Sequence, residues 1–135
     1  MTTTSEHLTH VLDGRWRDTK NMIREKLSLE IFKPHFFPSK SVARARVMEQ
    51  LKIIAAAGAA ADGFGKGHGG TGDVGAAVTK IEMLAMSDLS LMVKAGVQWG
   101  LFGGAVANLG TERHRHLIPD IINLDLVGCF AMTET

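Results

Sequence analysis

The sequence predicts an all-α domain, on three observations. Hydrophobic residues make up 45% of the 135-residue chain while aromatic ones reach only 6% with no Tyr, so the apolar content is mostly Ala, Met and Leu, which favour helices over strands. Apolar residues recur at three- and four-residue intervals in several segments, the period of a helix buried on one face. Pro34 and Pro38, Asp73, Ser87 or Asp88, and Gly110 with Thr111 supply breaks and caps between those segments. The length suits about one domain with a core of its own.

Residues 1–7 are polar and lack the apolar core of a secretory signal, and 1–14 are expected to form a flexible arm. A first helix is expected over 15–29, with Trp16, Met22, Ile23 and Leu27 on its apolar stripe. Pro34 and Pro38 interrupt helix formation around His35, Phe36 and Phe37. A second helix over 41–57 places Val47, Leu51, Ile54 and Gly58 on one face, with Arg44, Arg46, Glu49 and Lys52 toward water.

The stretch from Asp62 to Asp73 is a loop by its glycine density. It contains Gly67-x-Gly69-x-x-Gly72, the bare dinucleotide pattern, but that chemistry needs a preceding strand, and here a helix precedes. Lys66 is followed by Gly67 rather than Ser or Thr, so ATP binding is not supported either. Asp73 can cap the next helix, whose Val74, Val78, Ile81 and Ala85 mark an expected buried face, and Ser87 or Asp88 can cap another.

From Leu89 to Leu109 the chain is almost wholly apolar, with Lys94 its one charge, so the segment is expected to lie between other elements as a hairpin or broken helix. Gly96, Gly100, Gly103 and Gly104 each lower helix propensity by about 1 kcal/mol relative to Ala. Close backbone packing and space for a ligand are both adequate reasons for them. The uncharged run from Ala95 to Gly110 is shorter than a membrane span requires, and no span is expected. Gly110 and Thr111 stop one helix and cap another that runs to Ile122. Leu126 to Thr133 reads as a strand without its sheet.

Several functions are disfavoured. A net charge of +1 gives no basis for nucleic acid or an anionic membrane as main partner. The single Cys129 allows no internal disulfide, which fits a reducing compartment, and its apolar context suits packing rather than nucleophilic chemistry. His114 and His116 would lie about 200° apart on a helix and could not easily share a metal. His7 and His10 make a poor pair on a mobile arm, His35 and His68 have no identifiable partners, and no metal site is expected. No nucleophile elbow or suitably spaced carboxylate pair is present.

Function comes from a resemblance. In order along the chain stand Gly72-Asp73-Val74, Asp88-Leu89-Ser90-Leu91, Lys94-Ala95-Gly96-Val97-Gln98, Gly100-Leu101-Phe102-Gly103-Gly104-Ala105, Asn108-Leu109-Gly110-Thr111-Glu112-Arg113-His114 and Cys129-Phe130-Ala131-Met132-Thr133-Glu134. From near Arg15-Trp16 onward the chain resembles the acyl-CoA oxidase branch of the acyl-CoA dehydrogenase family. The similar region is that fold's N-terminal helical domain. The resemblance divides the chain into an arm at 1–14, the helical domain at 15–124 and, at 125–135, the start of the middle β-domain.

The resemblance implies α,β-dehydrogenation of an acyl-CoA to the trans-2-enoyl-CoA in fatty-acid β-oxidation, with FAD as cofactor. In the oxidase branch electrons go to oxygen and give hydrogen peroxide; in the dehydrogenase branch they go to an electron-transfer flavoprotein. Thr133 matches the family threonine that hydrogen-bonds the flavin ring, with Met132 and Phe130 as neighbours on the same strand, while Glu134 is expected to hold the turn. Leu91, Ala95 and Trp99 match positions along the acyl tunnel, with Met92 and Leu101 nearby.

The family's catalytic base lies beyond the region matched, so no catalytic residue is assigned, and this chain alone is expected neither to turn over nor to retain FAD. A homo-oligomer is expected of the complete protein. Location is cytoplasmic for a bacterial protein and peroxisomal for a eukaryotic one. The alternative is a non-catalytic helical module that binds acyl chains or a protein partner.

Overall fold

A computed structural model describes residues 3–133. Among these residues every regular element is helical, as the composition requires. Helix α1, Thr4–Asp13, occupies the segment expected to be a flexible arm. Its start is a capping box: the Thr3 side chain accepts from the Glu6 amide, and Glu6 Oε2 accepts from the Thr3 amide at 2.7 Å. Its end is tied down by buried Asp13, whose Oδ1 accepts from Arg24 Nη2 at 2.8 Å. The polar composition concealed both devices.

A 3-10 turn, Gly14–Trp16, leads into α2, Arg17–Leu27. The Trp16 indole lies against Gly75, where an added Cβ would collide with the ring, so the missing side chain lets α2 approach α4. Helix α3, Lys40–Ala56, follows the proline segment, with Ser39 as its N-cap. It buries Gln50, Leu51, Ile54 and Ala55. Gly58 does not continue that face: it is exposed, at φ +72°, just after the helix has stopped.

The glycine-rich stretch closes on its own backbone. Thr71 N–H donates to Ala61 O at 3.1 Å and Gly72 N–H to Phe64 O at 2.8 Å, while Phe64 is buried. These contacts make it a structural loop that follows a helix.

Helix α4, Val74–Ser87, is capped by Asp73, which accepts from the Ala76 amide at 3.0 Å. Its buried face is Ala76, Thr79, Lys80, Met83 and Leu84, whereas Val74 and Val78 are 68% and 63% exposed. The expected face is therefore wrong by part of a turn. Periodicity locates apolar residues but cannot say which side the neighbours occupy, and here polar side chains on the inner side are satisfied: Thr79 Oγ1 donates to Gly75 O at 2.8 Å, and Lys80 is ion-paired.

Asp88 caps α5, Leu89–Ala95, which continues through a π-helical segment, Gly96–Gly103, into α6, Gly104–Leu109. The three form one uninterrupted helix, neither hairpin nor broken rod. The glycines do not break it. This helix is only partly covered, with Leu89, Val93 and Leu109 exposed, which corrects the expectation that it would lie between other elements. By length and composition alone, Leu89–Leu109 is long and apolar enough to cross a membrane, which the shorter uncharged run did not reveal. Its inner side is nonetheless built for protein packing, because Gln98 and Trp99 both donate hydrogen bonds to α7.

A 3-10 segment, Glu112–Leu117, and α7, Ile118–Asn123, complete the domain. His114 is half-buried, and its Nδ1 accepts from the Thr111 amide at 3.0 Å; His116 is exposed. The core joins Ile23, Leu51, Ile54, Leu84, Leu91, Ile118 and Ile121. Residues 125–133 carry no strand assignment, because a strand needs a partner backbone and no described residue supplies one.

Candidate functional site

An apolar cavity of about 350 Å³ lies between the end of α3, α4 and the long helix, within the size range of small-molecule sites. Gly96, Gly100 and Gly104, four residues apart, form one wall; Ala77, Val78, Ile81 and Leu84 form the facing one; Ala59, Ala60 and Phe64 close an end. The glycines play two roles. A Cβ at Gly96 or Gly100 would meet nothing within 4 Å, so these leave open space. A Cβ at Gly103 would lie 2.8 Å from Phe64 Cζ and 3.0 Å from Ile121 Cγ2, so that glycine serves close packing.

Of the expected tunnel residues, Trp99 lines the cavity, Ala95 borders it with its side chain wholly buried, and Leu91, equally buried in the core, does not border it. Met92 is half-buried and Leu101 exposed. The Trp99 rotamer is held by its indole N–H, which donates to Ile121 O at 3.1 Å.

Two polar features escaped the sequence reading. Lys80 is the one charged residue lining the cavity; its Nζ sits 2.6 Å from Asp62 Oδ2, and Thr71 Oγ1 donates to Asp62 Oδ1 at 2.7 Å. Burial would raise the Asp62 pKa, but the hydrogen bonds from Lys80 and Thr71, with the Lys80 charge, outweigh it and hold the carboxyl below its ordinary value. The cavity is thus apolar with its cation neutralised, suited to a hydrocarbon chain.

The second is Gln98, buried on the π-helical segment beside Trp99. Its Nε2 donates to Leu126 O at 2.8 Å and Ile121 O at 3.3 Å, and its Oε1 accepts from the Gly128 amide at 3.0 Å. A polar side chain within an apolar stretch was the signal available. Gly128 packs beneath the Phe102 ring, where any Cβ would collide.

Beyond this clamp, Phe130, Met132 and Thr133 are exposed, and none makes a side-chain hydrogen bond to another described residue. Their peptide groups and the Thr133 hydroxyl are chemically suited to the edge of a planar ring rich in nitrogen and oxygen, as the flavin of FAD is. Glu134 lies outside the described residues. Among the described residues no group of three metal-ligating side chains exists.

A 55-residue stretch is 54% identical to acyl-coenzyme A oxidase 2, peroxisomal, of Arabidopsis thaliana, covering 40% of this chain and 8% of that protein. Over that stretch the chain is similar to an acyl-CoA oxidase. Peroxisomal acyl-coenzyme A oxidase 3 of Homo sapiens is 43% identical over 54 residues, 40% of this chain and 8% of the relative. The acyl-coenzyme A oxidase-like protein of Mus musculus is 42% identical over 55 residues, 39% of this chain and 8% of the relative. The match thus spans less than a tenth of the length of these relatives. No family model and no solved structure matches the chain. The all-α architecture agrees with an N-terminal helical domain of this family. Two of these relatives are peroxisomal by name.

Proposed function

We propose that this chain is the helical part of a peroxisomal, FAD-dependent acyl-CoA oxidase, and that its glycine-walled cavity holds the acyl chain of the substrate. The observation that carries this reading is the cavity: on a chain related to acyl-CoA oxidases, it is apolar, of ligand size, and left open by glycines whose Cβ positions are empty. Ala95 and Trp99 would contact the chain, and Leu91 would support them from the core. Phe130, Met132 and Thr133 would face the flavin ring. Bound FAD would supply the hydride acceptor for the β-carbon and a route for the electrons to oxygen, giving hydrogen peroxide.

The protein's own contribution would be to bind, orient and exclude water. The cavity lining includes no carboxylate, so removal of the α-proton is not assigned to it. That accords with a chain that is incompetent alone and retains FAD weakly. Exposed Val74 and Met86, on the helix that lines the cavity, offer apolar surface for further protein, including self-association.

The test is the visible absorption of the chain mixed with FAD, followed by addition of an acyl-CoA. A flavin spectrum perturbed by wild type but not by Thr133→Val supports the assignment. A spectrum identical to free FAD under saturating protein removes the flavin-facing role. The second reading, a non-catalytic acyl-binding module, draws on the cavity being formed wholly within this chain, and tight acyl binding with no flavin effect would favour it.

A further inference from the structure

A side-chain amide normally makes one or two hydrogen bonds in whatever direction is free. Gln98 does something more specific: it accepts from the amide of Gly128 and donates to the carbonyl of Leu126, two residues earlier on the same segment. Those are the groups a neighbouring strand would pair on one edge. The amide therefore takes the place of a ladder partner for a segment that has none among the described residues. Its placement depends on the π-helical turn. In an α-helix consecutive side chains diverge by about 100°, and the wider π turn reduces this, which helps Gln98 and Trp99 reach the same Ile121 carbonyl. Phe102, four residues on, covers Gly128 from the same helix.

We propose that Gln98 is a positioning residue that fixes the segment carrying Phe130, Met132 and Thr133 against the helix whose Ala95 and Trp99 line the cavity. What is positioned, a flavin edge beside an acyl chain, rests on the function proposed above; the clamp itself does not. One residue thus links the two halves of the site.

The test uses this chain without flavin or acyl-CoA, so it stands apart from that reading. Gly128 amide hydrogen exchange is measured, together with the mobility of a nitroxide on Cys129, the chain's single and exposed cysteine. Gln98→Leu is expected to accelerate Gly128 exchange by about tenfold or more and to free the nitroxide, with the Leu51 and Ile54 amides of α3 still protected. Gln98→Glu gives a second measurement should the first variant not fold. Its carboxylate would face the Ile121 and Leu126 carbonyls and release the segment at neutral pH.

Acidification protonates that carboxyl, restores the donor and is expected to re-immobilise the nitroxide. The charged side chains nearest in sequence, Asp120 and Asp125 on the packed segments and Lys94 one turn back, are partly or fully exposed and also present in wild type, which serves as the control. Equal Gly128 exchange and equal nitroxide mobility in wild type and both variants would overturn the proposal, whatever FAD does. A clamp that holds while FAD leaves the chain unaffected would count against the flavin reading alone.

Discussion

Lys80 and Asp62 form an ion pair at 2.6 Å on the wall of an otherwise apolar cavity, joining α4 to the turn that starts the glycine-rich loop. Both side chains are largely buried, and Thr71 completes the carboxylate's hydrogen bonding from the far end of that loop. Asp62→Asn leaves the lysine charge without a counter-ion and is expected to cost about 3 kcal/mol. Lys80→Met removes the buried charge instead and should cost less, since Asp62 keeps Thr71 and some contact with water. Chemical denaturation of both variants checks the order.

The same pair sets an acid limit on stability. Asp62 is held below the ordinary carboxylate value of 3.8 by Lys80 and Thr71 against the opposing effect of burial. Asp13 is held below it mainly by its hydrogen bond to Arg24, which outweighs burial, with the charges of Arg24 and Lys20 adding to the effect. In each case the folded state binds the proton less tightly than the unfolded one. Their stabilisation is therefore complete above 3.8 and lost as pH falls from there through the depressed folded values. Denaturation midpoints should be flat across the neutral range and fall below roughly pH 4. A double variant, Asp13→Asn with Asp62→Asn, should flatten that acid limb.

Glycines one turn apart on the long helix should respond oppositely. Gly103→Ala forces a methyl against Phe64 and Ile121 and is expected to destabilise by about 1–3 kcal/mol. Gly100→Ala meets nothing and should be neutral or stabilising by up to about 1 kcal/mol. Thermal melts of the two proteins make the comparison. Equal losses would mean that the cavity wall is packed rather than open.

Gly75→Val is expected to weaken the docking of α2 on α4 by displacing Trp16, with loss of about 2 kcal/mol and a shift in indole fluorescence. Trp16→Ala together with Gly75→Val should cost less than the sum of the two, because the clash vanishes with the ring.

Local chemistry made most of the helical fold legible. Asp73 and Asp88 announce their helices through short side chains that bond the first free amides, and the Pro34–Pro38 segment marks a gap no helix could cross. What escaped depends on tertiary partners. The Thr3 to Glu6 capping box was hidden in a polar segment, and burial of Asp13 depends on an arginine on the next helix. The α4 face was misread because Thr79 and Lys80 are satisfied inward while Val74 faces out and Val78 stands on the open side of the cavity. At the cavity, that Trp99 borders the space while Leu91 sits in the core could not be read from the sequence, and the two functions of the glycines emerge only from what surrounds each absent Cβ.

The most direct measurement is titration of the chain with a medium-chain acyl-CoA, followed by calorimetry, for wild type, Gly100→Leu and the distant exposed-surface control Leu12→Ala. The account predicts saturable binding by wild type, about tenfold or more weaker binding by Gly100→Leu with its melting temperature maintained, and no change for Leu12→Ala. Binding that is absent in wild type, or equal in all three proteins, would contradict an acyl chain in the glycine-walled cavity.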